Sequence, residues 1–177
     1  MATPYGVLEI PVIFGGEFYA LAPAPPGITV GPRNARGLID FSMVVKNAIE
    51  EQVTVVHPLE SDLRGTYGTI ITGVPTNGAD GRNVTIFADG EVDRSLYGTS
   101  TAARLAELHA TGKLAIGQEY VLESIIGTRF TGRVLGTTRV GEFPATVPEV
   151  DGRGFLTGIH TFIVEPDDPT QAEFLVR

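Results

Sequence analysis

The sequence predicts an α+β fold in which short strands wrap around one buried helix. Residues 99–110 read as that helix, because Ala102, Ala103, Leu105, Ala106 and Leu108 cover more than half of its circumference. A helix so apolar belongs inside a structure. Most of the remaining chain consists of short β-rich runs separated by Gly, Pro and Asn turn signals. With 177 residues, 42% hydrophobic and 19% charged, the chain is long enough for one well-buried core and does not have the composition of a disordered segment. One domain spanning 1–177 follows, with no internal repeat and no linker.

Taken in order, 7–12 reads as a strand, Gly15-Gly16 as a turn and 17–21 as a second strand. The next stretch, 22–32, carries Pro23, Pro25, Pro26, Gly27, Gly31 and Pro32 and is therefore a loop. From 34 to 51, Leu38, Phe41, Val45, Ala48 and Ile49 recur at three- and four-residue spacing, which predicts an amphipathic helix. Strands are expected at 53–57, 67–72 and 83–87, the last two split by a Pro75-Thr76-Asn77-Gly78 turn region. The buried helix follows and ends before Gly112. Beyond it, 120–124, 130–135, 142–147 and 154–164 read as strands, and Pro166-Asp167-Asp168-Pro169 closes the ordered part.

The net charge is −8 and no basic run is present, which argues against nucleic acid as a partner. No apolar run approaches the roughly 18–20 residues that span a bilayer. The N-terminus lacks the basic and apolar regions of a signal peptide, so the cytoplasm is the expected location. The chain has no Cys, which excludes disulfides and thiolate metal sites. His57, His109 and His160 are scattered without metal-ligand spacing, and structural roles are expected for all three.

The chemistry-bearing stretch is Asp93-Arg94-Ser95-Leu96-Tyr97-Gly98-Thr99. It resembles the second active-site motif of the proline racemase family, which includes proline racemases, 4-hydroxyproline epimerases and trans-3-hydroxyproline dehydratases. In the racemases and epimerases that motif reads Asp-Arg-Ser-Pro-Cys-Gly-Thr, and its Cys is a catalytic acid/base. Here Leu96 and Tyr97 stand in place of Pro and Cys. Other segments resemble the family in the same order: Phe14-Gly15-Gly16-Glu17-Phe18-Tyr19-Ala20, Val55-Val56-His57-Pro58, Arg82-Asn83-Val84, Glu123 to Gly132, and His160-Thr161-Phe162. The similarity covers nearly the whole chain but only the second half of a family member. The first lobe's Met-Cys-Gly-His-Gly-Thr motif is missing, so two-thiol chemistry is impossible in this polypeptide alone.

The resemblance implies the fold shared with diaminopimelate epimerase: two lobes, each a curved β-sheet around a central helix. This chain is then one lobe, with 99–110 as its central helix. The resemblance also implies a cofactor-independent reaction that begins by removing the α-proton of a proline- or hydroxyproline-like amino acid. The partner would be a second lobe carrying a Cys-Gly-His motif, in a heterodimer; failing that, the chain would pair with itself as a non-catalytic, amino-acid-binding or regulatory lobe.

Within the site, the backbone N–H groups of Gly98 and Thr99 would bind the substrate carboxylate, since a helix N-terminus attracts anions. Asp93 would contact the substrate's amino group, and Phe87 would pack against its ring. Tyr97 would act as a weak general acid or hydrogen-bond donor, its phenol having an ordinary pKa near 10 against about 8.5 for a thiol. In the dehydratases the second Cys is also replaced, usually by Thr. Each residue has a structural alternative. Ser95 or Thr99 is an ordinary helix cap, Asp93 a surface or capping residue, Phe87 a strand core residue, and Tyr97 a group that only fills the pocket.

Overall fold

The computed structural model describes residues 1–76 and 78–168. Asn77 of the expected turn and Pro169 of the expected closing segment lie outside the described residues. The elements are β1 (Ala2–Thr3), β2 (Gly6–Val7), β3 (Val12–Phe14), β4 (Phe18–Pro23), a 3₁₀ turn (Pro32–Asn34), α1 (Ala35–Gln52), β5 (Gly68–Gly73), β6 (Gly81–Phe87), β7 (Glu91–Val92), α2 (Gly98–Ala110), β8 (Tyr120–Glu123), β9 (Arg129–Val140) and β10 (Phe143–Gly152). β1 and β2 form a small ribbon of their own. The others make an eight-stranded sheet ordered β10-β9-β8-β6-β5-β4-β3, with β7 also paired to β6. The pairings β4–β5 and β6–β8 are parallel, and the rest are antiparallel.

Both ends of this sheet reach the same helix: α2 packs against β3 and β4 at one end and against β9 and β10 at the other. The sheet is therefore curled into an open barrel around α2. A register shift between Val147 and Pro148 in β10 helps the long β9–β10 hairpin bend. α1 lies on the outer face, against β5, β6 and β7.

The alternation of side chains explains why the central strands look continuously apolar. On β4, Tyr19 and Leu21 face the α2 side, while Ala20 and Ala22 join the α1 core. On β6, Val84 and Ile86 face α1, while the Thr85 hydroxyl donates to Ser100 Oγ of α2 at 2.8 Å. Strands covered on both faces need apolar residues at successive positions. α2 stops where the sequence predicts: Gly112, at φ 72, takes up the left-handed conformation, and the Lys113 N–H returns to the Leu108 carbonyl at 2.8 Å.

Several strand expectations fail, each for want of a pairing edge. The 7–12 run is split. Pro11 has no N–H to donate and serves only as an acceptor, its carbonyl taking the Leu21 N–H at 3.0 Å, so sheet pairing starts at Val12. The 53–57 run forms no strand; its one ladder contact is the isolated Val56–Arg64 bridge inside its own loop. Among the described residues the 154–164 run pairs with no strand, and its side chains are exposed. By contrast β9 and β10 run well past the expected 130–135 and 142–147, because each supplies the other's partner over ten residue pairs. The loop expected at 22–32 begins after Pro23 and ends in the 3₁₀ turn.

Candidate active site at the start of the central helix

The site residues expected from the sequence come from three places: β6 supplies Phe87, the β7–α2 loop supplies Asp93 and Tyr97, and the first turn of α2 supplies Gly98 and Thr99. Tyr97 is the residue at which α2 begins, its carbonyl accepting the Thr101 N–H at 2.8 Å. Among the described residues no side chain caps the helix. The N–H groups of Gly98 and Thr99 have no acceptor among the described residues. Such orphan donors, together with the helix dipole, make the end of α2 attractive to an anion.

The structural alternative for Ser95 and Thr99 does not hold. Ser95 turns away, its N–H and hydroxyl both donating to Asp93 Oδ1 at 2.9 Å. The Thr99 hydroxyl pairs with Tyr19 Oη at 2.7 Å. Asp93 is half-buried and held by this local turn and by its own N–H, which donates to the Thr85 carbonyl at 3.0 Å.

Phe87 and Tyr97 meet: their ring centroids are 5.4 Å apart at 54°. Tyr67, at the entry to β5, completes the cluster and was not singled out from the sequence. It stacks on Phe87 at 5.6 Å and 15°, and its hydroxyl lies 3.3 Å from that of Tyr97. Tyr19 packs edge-on beneath Tyr67 at 5.9 Å. Phe87 is set by a tight turn at Ala88, which adopts φ 46 and whose carbonyl accepts from Lys46 Nζ at 2.6 Å.

These contacts decide which phenols can ionise. Burial pushes the Tyr19 phenol up to about 12, only partly opposed by the Thr99 hydroxyl. The hydrogen bond with Tyr97, then burial, pushes Tyr67 up to about 12 as well. Both are protonated at neutral pH, so they serve as hydrogen-bond donors rather than bases.

Gly15 and Gly16, read from the sequence as a turn, have a further role. The β3–β4 turn lies so close to α2 that a Cβ on Gly15 would sit 2.2 Å from the Thr99 carbonyl oxygen. Beside this contact, an apolar cavity of about 470 Å³ opens between β3 and β10, floored by Ala102 and Ala106. It marks where the barrel fails to close. His57 borders it, with Nδ1 accepting the Glu60 N–H at 3.1 Å, a structural role. Among the described residues no group of acidic or His side chains is arranged to hold a metal, and no helix is long and apolar enough to cross a membrane.

The family model for proline racemase matches residues 2–175. The chain belongs to the proline racemase family. It is 36% identical over 174 residues to a proline racemase of Clostridioides difficile, covering 97% of this chain and 52% of that protein. It is 41% identical over 170 residues to a trans-3-hydroxy-L-proline dehydratase of Bacillus cereus, covering 95% and 51%. A hydroxyproline epimerase from Agrobacterium vitis, solved with bound trans-4-hydroxy-L-proline, superposes with a TM-score of 0.84 at 36% identity, covering 99% of this chain and 51% of that one. The curled sheet around a central helix is thus the proline racemase fold. The chain spans about half the length of the curated relatives it matches.

Proposed function

We propose that this chain is the second lobe of a proline racemase-like active site, completed by another lobe that carries the catalytic thiol. The substrate is a proline- or hydroxyproline-like amino acid. The observation that carries this reading is the uncapped start of α2, with the free N–H groups of Gly98 and Thr99 beside the aromatic wall of Phe87 and Tyr97. Tyr97 takes the place of the family's second Cys, at the head of the helix.

In this reading the partner's thiolate removes the α-proton: the Cα–H bond breaks, an S–H bond forms, and negative charge moves onto the substrate carboxylate. The Gly98 and Thr99 N–H groups stabilise that charge where it develops. Asp93 holds the protonated ring amine. Tyr97, with Tyr67 beside it, faces the substrate with a phenol instead of a thiol. It either returns a proton to Cα from the opposite face, which gives epimerisation, or donates a hydrogen bond that orients the substrate while the thiol that took the α-proton passes it to the departing 3-hydroxyl on its own face, which leaves as water and gives dehydration.

The test is a co-purified pair of lobes supplied with L-proline, trans-4-hydroxy-L-proline and trans-3-hydroxy-L-proline in D₂O. Deuterium at Cα or loss of water is expected, and Tyr97→Phe should lower turnover by about a hundredfold or more, within the range of general acid catalysis. Unchanged turnover in Tyr97→Phe removes Tyr97 from the mechanism.

A second reading is favoured by the absence of any Cys and by the two phenols that stay protonated at neutral pH. Here the chain is a homodimeric, non-catalytic lobe that binds an amino acid. Deuterium incorporation by the homodimer alone would exclude it.

A further inference from the structure

The Tyr67 hydroxyl has one hydrogen-bond partner among the described residues, the hydroxyl of Tyr97, 3.3 Å away. Packing accounts for the Tyr67 ring, which stacks on Phe87 and meets Tyr19 edge-on. It does not account for the oxygen, because a phenylalanine would make the same ring contacts.

The two phenols are held unequally. Tyr67 is clamped through its backbone: its N–H donates to the Phe18 carbonyl at 2.9 Å, and its carbonyl accepts the Ala88 N–H at 3.1 Å. Its ring rests between Phe87 and the fully buried Tyr19. Tyr97 stands in the β7–α2 loop, at the residue where α2 begins. Its ring leans on Phe87 and Tyr67, at 54° to each. The more firmly held member of the pair therefore sets the direction of the other's oxygen. The order of donation follows from charge. The contact with Tyr97, then burial, then the nearby Glu17 and Glu91 carboxylates push the Tyr67 phenol up to about 12. Tyr67 thus keeps its proton at neutral pH and has it to donate. Tyr97 Oη then accepts, and its own O–H is left for a second acceptor.

We propose that Tyr67 is a positioning residue for Tyr97: its hydroxyl donates to Tyr97 Oη and so turns the Tyr97 O–H towards the substrate. The inference rests on the two-lobe reading above and deepens it by naming the group that governs Tyr97. When Tyr97 gives its proton to Cα, its O–H bond breaks, a C–H bond forms, and the electron pair stays on Tyr97 Oη. The Tyr67 O–H, already aimed at that oxygen, stabilises the phenolate without transferring its own proton. In the dehydrating branch the same contact fixes the hydrogen bond from Tyr97 to the substrate.

The test uses Tyr67→Phe, which keeps the ring, alone and combined with Tyr97→Phe, in the pair of lobes and on the three substrates named above. Tyr67→Phe should lower kcat about tenfold, the cost of a lost hydrogen bond to a charged group, and leave KM nearly unchanged. In the Tyr97→Phe background the same change should cost nothing further. An equal further loss in that background overturns the proposal, since Tyr67 then acts through packing or on the substrate itself. Full turnover in Tyr67→Phe, beside a loss in Tyr97→Phe, also overturns it and leaves the two-lobe reading standing. No turnover by the parent pair overturns that reading, and this inference with it. The hydroxyl contact is read separately in the isolated chain, by NMR titration of ring-labelled tyrosine. Tyr67 should ionise clearly below about 12 in Tyr97→Phe, and a Tyr67 step that does not move overturns the proposal whatever the turnover.

Discussion

A single methyl group at position 15 would collide with the first turn of α2. An alanine Cβ there would lie 2.2 Å from the Thr99 carbonyl oxygen and 2.5 Å from the Ala103 nitrogen, both backbone atoms that cannot swing aside. Gly15→Ala should therefore cost about 1–3 kcal/mol, the usual range for overpacking, read as a lower Tm together with shifted amide resonances at Gly98 and Thr99. An unchanged spectrum would mean that the β3–β4 turn is not held against the helix. The phenols give a second residue-scale expectation. The chain has five tyrosines, and Tyr19 and Tyr67 ionise only near pH 12, so ultraviolet titration should show a late tyrosinate step that shrinks in Tyr67→Phe. The sign for stability follows. A phenol whose folded pKa is raised above its unfolded value near 10 contributes stability fully below pH 10, and that contribution is lost as pH rises towards 12. Urea midpoints measured from pH 9 to 12 should fall across that window, and less steeply in Tyr67→Phe.

The elements hold the site through α2 and β8. Leu105 of α2 is fully buried and sits against Gly132 of β9, where a Cβ would come within 2.6 Å of its side chain. Leu105→Ala should destabilise by about 2–5 kcal/mol, as for other buried leucines, checked by urea unfolding. On β8, Glu123 is buried and accepts from the Thr76 N–H at 2.8 Å and hydroxyl at 2.6 Å. Burial by itself raises its pKa, but the Thr76 donors and the nearby Arg82 and Arg129 outweigh that and hold the carboxyl below the ordinary range. Such a depressed pKa gives stability that is present above the unfolded value near 4.5 and is lost as pH falls through the lower folded value. Glu123→Gln should cost about 1–3 kcal/mol at pH 7, and its deficit against the parent should shrink in thermal melts below about pH 4.5. The element-level reading of the sequence succeeded where a local rule suffices. Leu38, Phe41, Val45 and Ile49 mark the buried face of α1, and Gly112 marks the end of α2. It failed at 53–57 and 154–164, because β-propensity says nothing about whether an edge is available to pair with.

At the scale of the whole molecule, the described residues carry a core that is complete by Val150 and a segment beyond it whose large apolar side chains stay exposed. Truncation after Arg153 should therefore change Tm by no more than about 2 °C, the effect of a loss of roughly 0.5 kcal/mol in a chain of this size. A larger drop, seen by differential scanning calorimetry, would show that 154–164 contributes to this chain's own stability. The barrel's open side gives the molecule its polarity. Both sheet edges, β3 and β10, and the cavity between them lie along α2, whose first turn carries the candidate site.

What the sequence determined by itself was local and chemical. It determined the two helices, the α+β class, the family likeness, the absence of thiols, and the stretch Asp93 to Thr99 with the Tyr97 phenol within it. Each of these depends on spacing or composition within one stretch of chain, and such information survives without a fold. Only the tertiary structure decided that Tyr67 joins Phe87 and Tyr97, that Ser95 serves Asp93 and leaves the helix uncapped, and that 154–164 pairs with no strand among the described residues. Those facts depend on which strands pair and in what register, a property of edges brought together from distant parts of the chain, which no single stretch encodes.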